Sequence, residues 1–304
     1  MQDVYFADRA VAATVVVREN VRLARDTYRI RFDCPQIAWR IVPGQFIMLR
    51  LAGCDDPLLG RPLALYDTVI GDAALDSAVP HEAGAPAGLD IVYLAVGKLT
   101  SRLARCGPGQ EVEIWGPLGN GFTSSGFPPH AAEHLVMVAG GIGQTPFLAL
   151  AQEYLGHKTY GDPPRRQPAR AGRVTLCYGS RSADFLAGVA DFERLGVEVR
   201  ISTDNGSAGH HGLVTDLLAS VLSDSRGGVR VVCCGPEPMM HAVADMTSAA
   251  GVPCQVSLET PMACGIGICF SCVARVRQEQ GGWDYRRTCV EGPVFDAAAI
   301  EFSP

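Results

Sequence analysis

Four cysteines near the C-terminal end constrain this chain more than any other feature. Cys264-Gly265-Ile266-Gly267-Ile268-Cys269-Phe270-Ser271-Cys272 is followed, after sixteen intervening residues, by Cys289. A C-x4-C-x2-C run with a distant fourth Cys is the spacing of plant-type [2Fe–2S] sites, in which four thiolates converge on two irons and three of them come from one tight loop. Gly265 and Gly267 let such a loop close around the sulfurs and turn its N–H groups inward. Cys264, Cys269, Cys272 and Cys289 are therefore the candidate metal ligands. The competing reading is a structural zinc site, which usually draws on pairs of cysteines two to four residues apart.

The other seven cysteines, Cys34, Cys54, Cys106, Cys177, Cys233, Cys234 and Cys254, are scattered, and the total of 11 is odd. Several lie in apolar surroundings, where a thiol behaves as a small hydrophobe. The crowding of the remaining four argues for metal or redox chemistry over disulfides. The 304 residues are 47% hydrophobic and 19% charged, enough for a sizeable core and more than one domain. With 26 Lys and Arg against 32 Asp and Glu, the net charge of −6 argues against nucleic-acid binding. No apolar run is long enough to span a membrane, and Met1–Arg9 lacks the pattern of a secretory signal, so a soluble, cytoplasmic protein is expected.

Along the chain, the first 125 residues read as β-rich. Ala12–Asn20, Thr27–Asp33, Gln45–Leu51, Leu89–Val96 and Glu111–Trp115 are strand patterns, with turns at Pro43-Gly44 and residues 53–57, and predict a small antiparallel barrel. Residues 71–88 read as a surface loop, as do 156–172. From His134 the pattern changes. The apolar run His134–Ala139 is that of a strand buried on both faces, followed by a helix over Phe147–Leu155. Strands at Arg173–Tyr178, Val197–Ser202 and Val229–Cys234 alternate with helices at 184–195, 212–222 and 237–250, which predicts a parallel sheet of βαβ units. The expected fold class is α/β with a β-barrel, in three domains: a barrel over 1–129, a parallel-sheet domain over 130–250 and a cysteine-cluster domain over 251–304.

Between the first parallel strand and its helix lies Gly140-Gly141-Ile142-Gly143-Gln144-Thr145-Pro146. Glycines there admit a dinucleotide pyrophosphate to a helix N-terminus; tight packing is the alternative reason for them. A second turn, Cys234-Gly235-Pro236, closes the last strand of the same sheet, so the two turns are expected to border one crevice. Cys234 is either close to the reacting ring of a bound nucleotide or a buried structural thiol. In the barrel, Arg61 in Gly60-Arg61-Pro62-Leu63-Ala64-Leu65-Tyr66 is either a phosphate-pairing cation or a surface arginine at a strand start. Thr100 in Gly97–Leu103 is expected to cap a short helix, whose N–H groups are available to a phosphate. Gly116–Phe122 reads as a turn-forming run. Asp204 in Ile201-Ser202-Thr203-Asp204-Asn205 either meets a ribose hydroxyl or merely opens a turn.

Taken in order, Arg61-Pro62, Gly97–Thr100, Gly116–Phe122, Gly140–Pro146, Cys234-Gly235-Pro236 and the cysteine loop resemble the ferredoxin-reductase superfamily. Within it they are most similar to the electron-transfer subunits of B-type, NAD-linked dihydroorotate dehydrogenases. The most specific stretches are Pro117–Phe122 and Glu259–Cys269, and Cys289–Phe295 matches the family's ending. The resemblance implies an FAD-binding barrel, an NAD-binding sheet and a [2Fe–2S] domain. It puts Arg61, Pro62, Leu63, Ala64, Tyr93, Leu99 and Thr100 along FAD. It puts Gly140, Gly141, Gly143, Gln144, Thr145, Pro146, Asp204, Cys234, Gly235 and Pro236 along NAD, with the acidic Asp204 disfavouring a 2′-phosphate. It also implies an FMN-containing catalytic partner that oxidises dihydroorotate, assembled as a heterotetramer, with electrons passing through cluster and FAD to NAD⁺. Three positions depart from the family, which usually has Ser or Thr at 64, Gly at 99 and often Arg at 94. Three other readings stand beside this one: a diaphorase-type subunit of a hydrogenase, sulfide-reducing or ferredoxin reductase complex, a zinc-stabilised binding module, and a purely structural scaffold subunit, which would leave the cysteine spacing without a reason.

Overall fold

The computed structural model describes residues 9–70, 84–123, 133–165, 171–225 and 228–302. The N-terminal part holds β1 (Val11–Ala24), β2 (Thr27–Asp33), α1 (Pro35–Ala38), β3 (Phe46–Leu51), β4 (Arg61–Ala64), β5 (Asp67–Ile70), β6 (Pro86–Leu94), α2 (Lys98–Leu103) and β7 (Glu111–Leu118). These strands form an antiparallel sheet in the order β4-β3-β7-β1-β2-β6-β5. Its end strands β4 and β5 are joined by Leu65 and Tyr66 alone. Leu65 N–H donates to Gln45 O on one side and Tyr66 N–H to Asp90 O on the other, which closes the sheet into a barrel.

Alternation fills the barrel. Val15 and Val17, Ile30 and Phe32, and Val112 and Ile114 point inward from their strands, against Leu99 and Leu103 of α2. Strand β3 breaks the alternation because both its faces are covered. Ile47 and Leu49 face the barrel interior, while Phe46 and Met48 lie outside it, beneath Cys272, Cys289 and Val290.

The second part continues with β8 (His134–Gly140), α3 (Phe147–Leu155), β9 (Arg173–Ser180), α4 (Val189–Arg194), β10 (Glu198–Thr203), β11 (His210–His211), α5 (Val214–Asp224), β12 (Val229–Cys234) and α6 (Glu237–Ala249). After these come β13 (Cys254–Ser257), β14 (Val273–Arg277), β15 (Trp283–Arg287) and β16 (Val294–Asp296). The sheet order is β11-β10-β9-β8-β12-β13-β16, parallel up to β13 and closed by antiparallel β16. Strand β8 is buried on both faces, as its apolar run predicts. Leu135 and Met137 pack on one side, Val136 and Val138 on the other.

Several sequence expectations need adjusting. Gly116-Pro117-Leu118 completes β7, because the strand stays paired with β3 as far as Leu118↔Phe46; the turn proper is Gly119–Gly121. Residues 86–88 belong to β6, where Gly88 pairs with both Asp33 and Val69, while 71–83 lie outside the described residues. The helix expected over 184–195 is split. A 3-10 turn at Ala183–Phe185 is separated from α4 by Gly188, whose φ of +73° starts the helix afresh. The boundary expected at residue 129 lies outside the described residues, as do Met1–Asp8. The sheet runs past residue 250: β13 and β16 are two of its strands, and the cysteine loop is threaded between them. No helix among the described residues is long and apolar enough to cross a membrane.

Candidate functional site

The cysteine loop rests on the outer face of the barrel. Gly265 has φ +74°, and a Cβ there would come within 2.6 Å of Met48 Cγ, so the loop approaches β3 as closely as a backbone can. Trp115 Nε1 on β7 donates to Cys264 O at 2.9 Å. Asn120 holds the other end: its Nδ2 donates to Glu291 O and Val294 O, and its Oδ1 accepts Val294 N–H. The run that looked like a simple turn thus ties the barrel to the C-terminal segment.

The four sulfurs fall into two pairs. Cys272 Sγ lies 3.1 Å from Cys289 Sγ, and the Cys264 side chain interacts with that of Cys269. Among the described residues, no three His, Cys, Asp or Glu side chains gather around one point as a single ion requires. Two pairs suit two irons with two thiolates each. At Cys269 and Cys272 the environment favours the thiolate. The Ser271 hydroxyl and surrounding backbone N–H groups bring Cys269 down to about 6. The hydrogen bond with Cys289 brings Cys272 down to about 6 and raises its partner. The Gly267 N–H is turned toward the Cys289 sulfur, as the glycine-rich loop predicts.

One strand separates the loop from the predicted flavin strand. Ala64 and Leu63 of β4 pair with Phe46 and Ile47 of β3, and Phe46 packs on Cys272 and Cys289. Arg61 has no carboxylate partner among the described residues, and its guanidinium turns back to Leu59 O and Gly60 O at 3.1 and 3.0 Å. Leu99 and Tyr93 are buried in the barrel core, with the Tyr93 hydroxyl donating to Asn20 Oδ1 at 3.1 Å. Thr100 is not the helix cap. Gly97 is, and the Thr100 hydroxyl reaches back from the third helical position to accept Gly97 N–H at 3.1 Å. Where the barrel meets the second sheet, Gln144 is fully buried and neither polar atom of its amide has a hydrogen-bond partner among the described residues. An amide so placed calls for a partner that the chain itself does not supply.

The two glycine turns touch. A Cβ on Gly143 would sit 2.2 Å from Cys234 O, and one on Gly235 would sit 2.9 Å from Gly140 N. Packing therefore explains Gly143, with Gln144, Thr145 and Pro146 buried beside it. Gly140, Gly141, Gly235 and Pro236 line a cavity of about 920 Å³ that also reaches Asp204. It opens at the carboxyl ends of the strands where the chain, having built β9 and β10 on one side of β8, returns to build β12 on the other. Such switch points are where open α/β sheets bind ligands. Asp204 lies on the crevice wall and also opens a turn closed by Gly206 N–H to Thr203 O. Cys234 is 4% exposed, and burial pushes its thiol well up, so it is a neutral group under the crevice floor.

Sequence reading missed part of this wall. Arg181 at the end of β9 lines the cavity and stacks its guanidinium 4.5 Å from the Phe185 ring centre; a cation just past a parallel strand was the available signal. Glu259, Thr260, Arg275 and Tyr285 also line it, although they come from the segment around the cysteine loop.

A closed antiparallel barrel, a parallel sheet with a crevice at its switch point, and a loop of paired thiolates define an oxidoreductase of the ferredoxin-reductase class with its own iron–sulfur domain. A family model described as the iron–sulfur cluster binding domain of dihydroorotate dehydrogenase B matches residues 259–301. An oxidoreductase NAD-binding domain matches residues 137–245. A dihydroorotate dehydrogenase B (NAD(+)) electron transfer subunit from Desulforamulus reducens is 35% identical over 274 residues, covering 90% of this chain and 92% of the relative. One from Caldanaerobacter subterraneus is 34% identical, covering 94% and 97%. The chain belongs to the family of dihydroorotate dehydrogenase B electron transfer subunits. Among solved structures, an NADH-dependent reduced ferredoxin-NADP oxidoreductase matches with a TM-score of 0.73 and 26% identity, over 95% of this chain and 90% of its own. A ferredoxin NADP+ reductase from Neisseria gonorrhoeae, at TM-score 0.57 and 16% identity, shares the fold over 79% of this chain and 92% of its own.

Proposed function

We propose that this subunit takes electrons from an FMN-containing catalytic partner that oxidises dihydroorotate, and delivers them through a [2Fe–2S] cluster and FAD to NAD⁺. When bound, the cluster exchanges single electrons and FAD exchanges them in pairs for the hydride of the nicotinamide. The observation that carries this reading is spatial: the cysteine loop packs on β3, β3 pairs with β4, and residues of the second sheet and of the cysteine segment line one crevice. Cys264, Cys269, Cys272 and Cys289 would hold the irons. Arg61 would pair with a flavin phosphate, and the backbone of Pro62, Leu63 and Ala64 would face the flavin ring. Leu99, Thr100 and Tyr93 would serve by backbone or by packing. Gly140, Gly141, Gly235 and Pro236 would admit the pyrophosphate, with Gly143, Gln144, Thr145 and Pro146 shaping the turn beneath it. Asp204 would accept from a ribose hydroxyl and repel a 2′-phosphate, which favours NAD.

The same reading gives three working units, namely the barrel, a nucleotide-binding sheet that runs past residue 250 into β13 and β16, and the cysteine segment threaded between those strands, as well as a heterotetramer with the catalytic partner and a cytoplasmic site of action. The test is an anaerobic pull-down of the tagged chain from its host, with partner identification and a visible spectrum. A dihydroorotate-oxidising FMN partner with flavin and iron–sulfur absorbance supports it. A ferredoxin- or hydrogenase-type partner would favour the diaphorase reading, which the likeness to the ferredoxin-NADP oxidoreductase keeps in view. A colourless product that resists iron and flavin reconstitution would end the redox reading.

A further inference from the structure

Two hydroxyls connect the nucleotide crevice to the cysteine loop. Thr260 lines the crevice, and its Oγ1 lies 2.5 Å from Oγ1 of Thr288. Thr288 is fully buried and immediately precedes Cys289. Its Oγ1 lies 3.1 Å from the carbonyl oxygen of Cys272, which also accepts Thr288 N–H at 2.7 Å.

The protons can be assigned by counting. A carbonyl only accepts, and a hydroxyl has one proton to give. The Thr288 proton goes to Cys272 O, so the Thr260 hydroxyl donates to Thr288 Oγ1. That leaves a lone pair of Thr260 Oγ1 as an acceptor on the crevice side. Its neighbour Glu259, on the same wall, carries a second acceptor group. This end of the crevice lies beyond β12 and β13, on the far side of the sheet order from Asp204 at the end of β10. A dinucleotide laid across the strand ends with its adenosine ribose at Asp204 brings its other base to Glu259 and Thr260. Acceptors at Glu259 and Thr260 suit the N–H donors of a carboxamide.

We propose that Thr260 and Thr288 form a hydroxyl relay through which a nicotinamide carboxamide in the crevice is registered at the Cys272–Cys289 pair. Thr260, accepting an N–H from the ligand, becomes the stronger donor to Thr288, and Thr288 in turn to Cys272 O, because hydrogen bonds in a chain polarise one another. The last member of the chain is the backbone of a cluster ligand, and hydrogen bonding around the sulfurs tunes such sites. Thr260 is a positioning residue, and the inference rests on the nicotinamide reading above.

The test uses holoenzyme reduced with dithionite, which cannot consume NADH. NADH carries the carboxamide, and ADP-ribose occupies the rest of the crevice without it. The readouts are the paramagnetic resonance spectrum of the reduced cluster and the dissociation constant of each ligand. In the wild type, NADH alters the spectrum and ADP-ribose does not. Thr260→Ser keeps that response. Thr260→Val loses it and binds NADH about 5-fold more weakly, the loss of one neutral hydrogen bond, with iron content and ADP-ribose affinity unchanged. If Thr260→Val loses its cluster, Thr260→Ala gives the same comparison with space left rather than filled. A spectral response that persists without the hydroxyl overturns the relay, as does a wild type that binds NADH with no response at the cluster. If neither ligand binds the wild type, the nucleotide reading fails and the relay falls with it.

Discussion

The sulfur atoms of Cys272 and Cys289 lie 3.1 Å apart, although seventeen positions separate them in the chain. Between them run the two strands of the β14–β15 hairpin, in register from Val273↔Arg287 to Arg277↔Trp283. The hairpin brings the distant fourth cysteine back to the third. Replacing Cys289 or Cys269 by Ser is therefore expected to abolish iron–sulfur absorbance and most bound iron. Cys177→Ala, deep in the sheet, should keep both. Full iron and sulfide in Cys269→Ser would refute the ligand assignment.

Gly143 sits where the two crevice turns touch backbone to backbone. Gly143→Ala would place a methyl 2.2 Å from Cys234 O, where no side chain can move aside. The expected cost is about 1–3 kcal/mol of stability, together with weakened NADH oxidation. Gly107→Ala, with open space around it, is the control and should change neither. Equal denaturation midpoints for the two variants would show that the turns can part without cost.

Asn120 joins barrel to C-terminal segment through its side chain alone in three hydrogen bonds. Asn120→Ala should cost about 2 kcal/mol, two or so net hydrogen bonds. It should also raise hydrogen exchange in residues 291–296 before it changes the nucleotide crevice. Exchange mapping by mass spectrometry reads this directly, and unchanged protection there would contradict the clamp.

Asp204 gives a specificity prediction. Replacing it with Asn removes the repulsion of a 2′-phosphate while keeping the turn, so the preference for NADH over NADPH should fall by about tenfold, or 1.4 kcal/mol. Steady-state kcat/KM for both nucleotides measures it. An unchanged ratio would leave Asp204 as a turn residue only.

Glu198 is an identifiable source of acid sensitivity away from the site. Burial works to raise Glu198, but hydrogen bonds from Arg173 and Arg200 outweigh it and hold the carboxyl at about 2. A carboxyl depressed in the folded state stabilises fully above its unfolded value near 4.3, and the contribution fades as pH falls from there toward 2. Glu198→Gln should thus have a lower denaturation midpoint than wild type at pH 6, with the gap narrowing by pH 3. A gap that widens on acidification would reverse the sign.

The fold was legible wherever a local pattern carries it. The helix Phe147–Leu155 and the strand Thr27–Asp33 have the bounds that their periodicity gives, and the two-sided burial of β8 follows from its apolar run. What stayed hidden is non-local. The short apolar stretches at Cys254–Ser257 and Val294–Asp296 look alike whether they pair with each other, as they do, or close a separate module. Phe46 and Met48 read as ordinary strand residues because periodicity cannot say what covers an outer face. The spacing of the cysteines points to candidate ligands, but the Thr260–Thr288 contact joins residues whose identity as two ordinary threonines gives no signal. Thr100 misled because a capping hydroxyl serves from the first or the third position of a turn, and sequence does not tell which.

The threading of the cysteine loop between β13 and β16 also bears on synthesis. A ribosome releases β13 well before β16, so the sheet waits with β13 as an open edge while the cysteines emerge. An open edge is a template for pairing with another chain. Folding of the loop and sealing of that edge are consequently one event, and a nascent chain starved of iron is expected to be lost to aggregation or proteolysis rather than to accumulate as a soluble colourless protein.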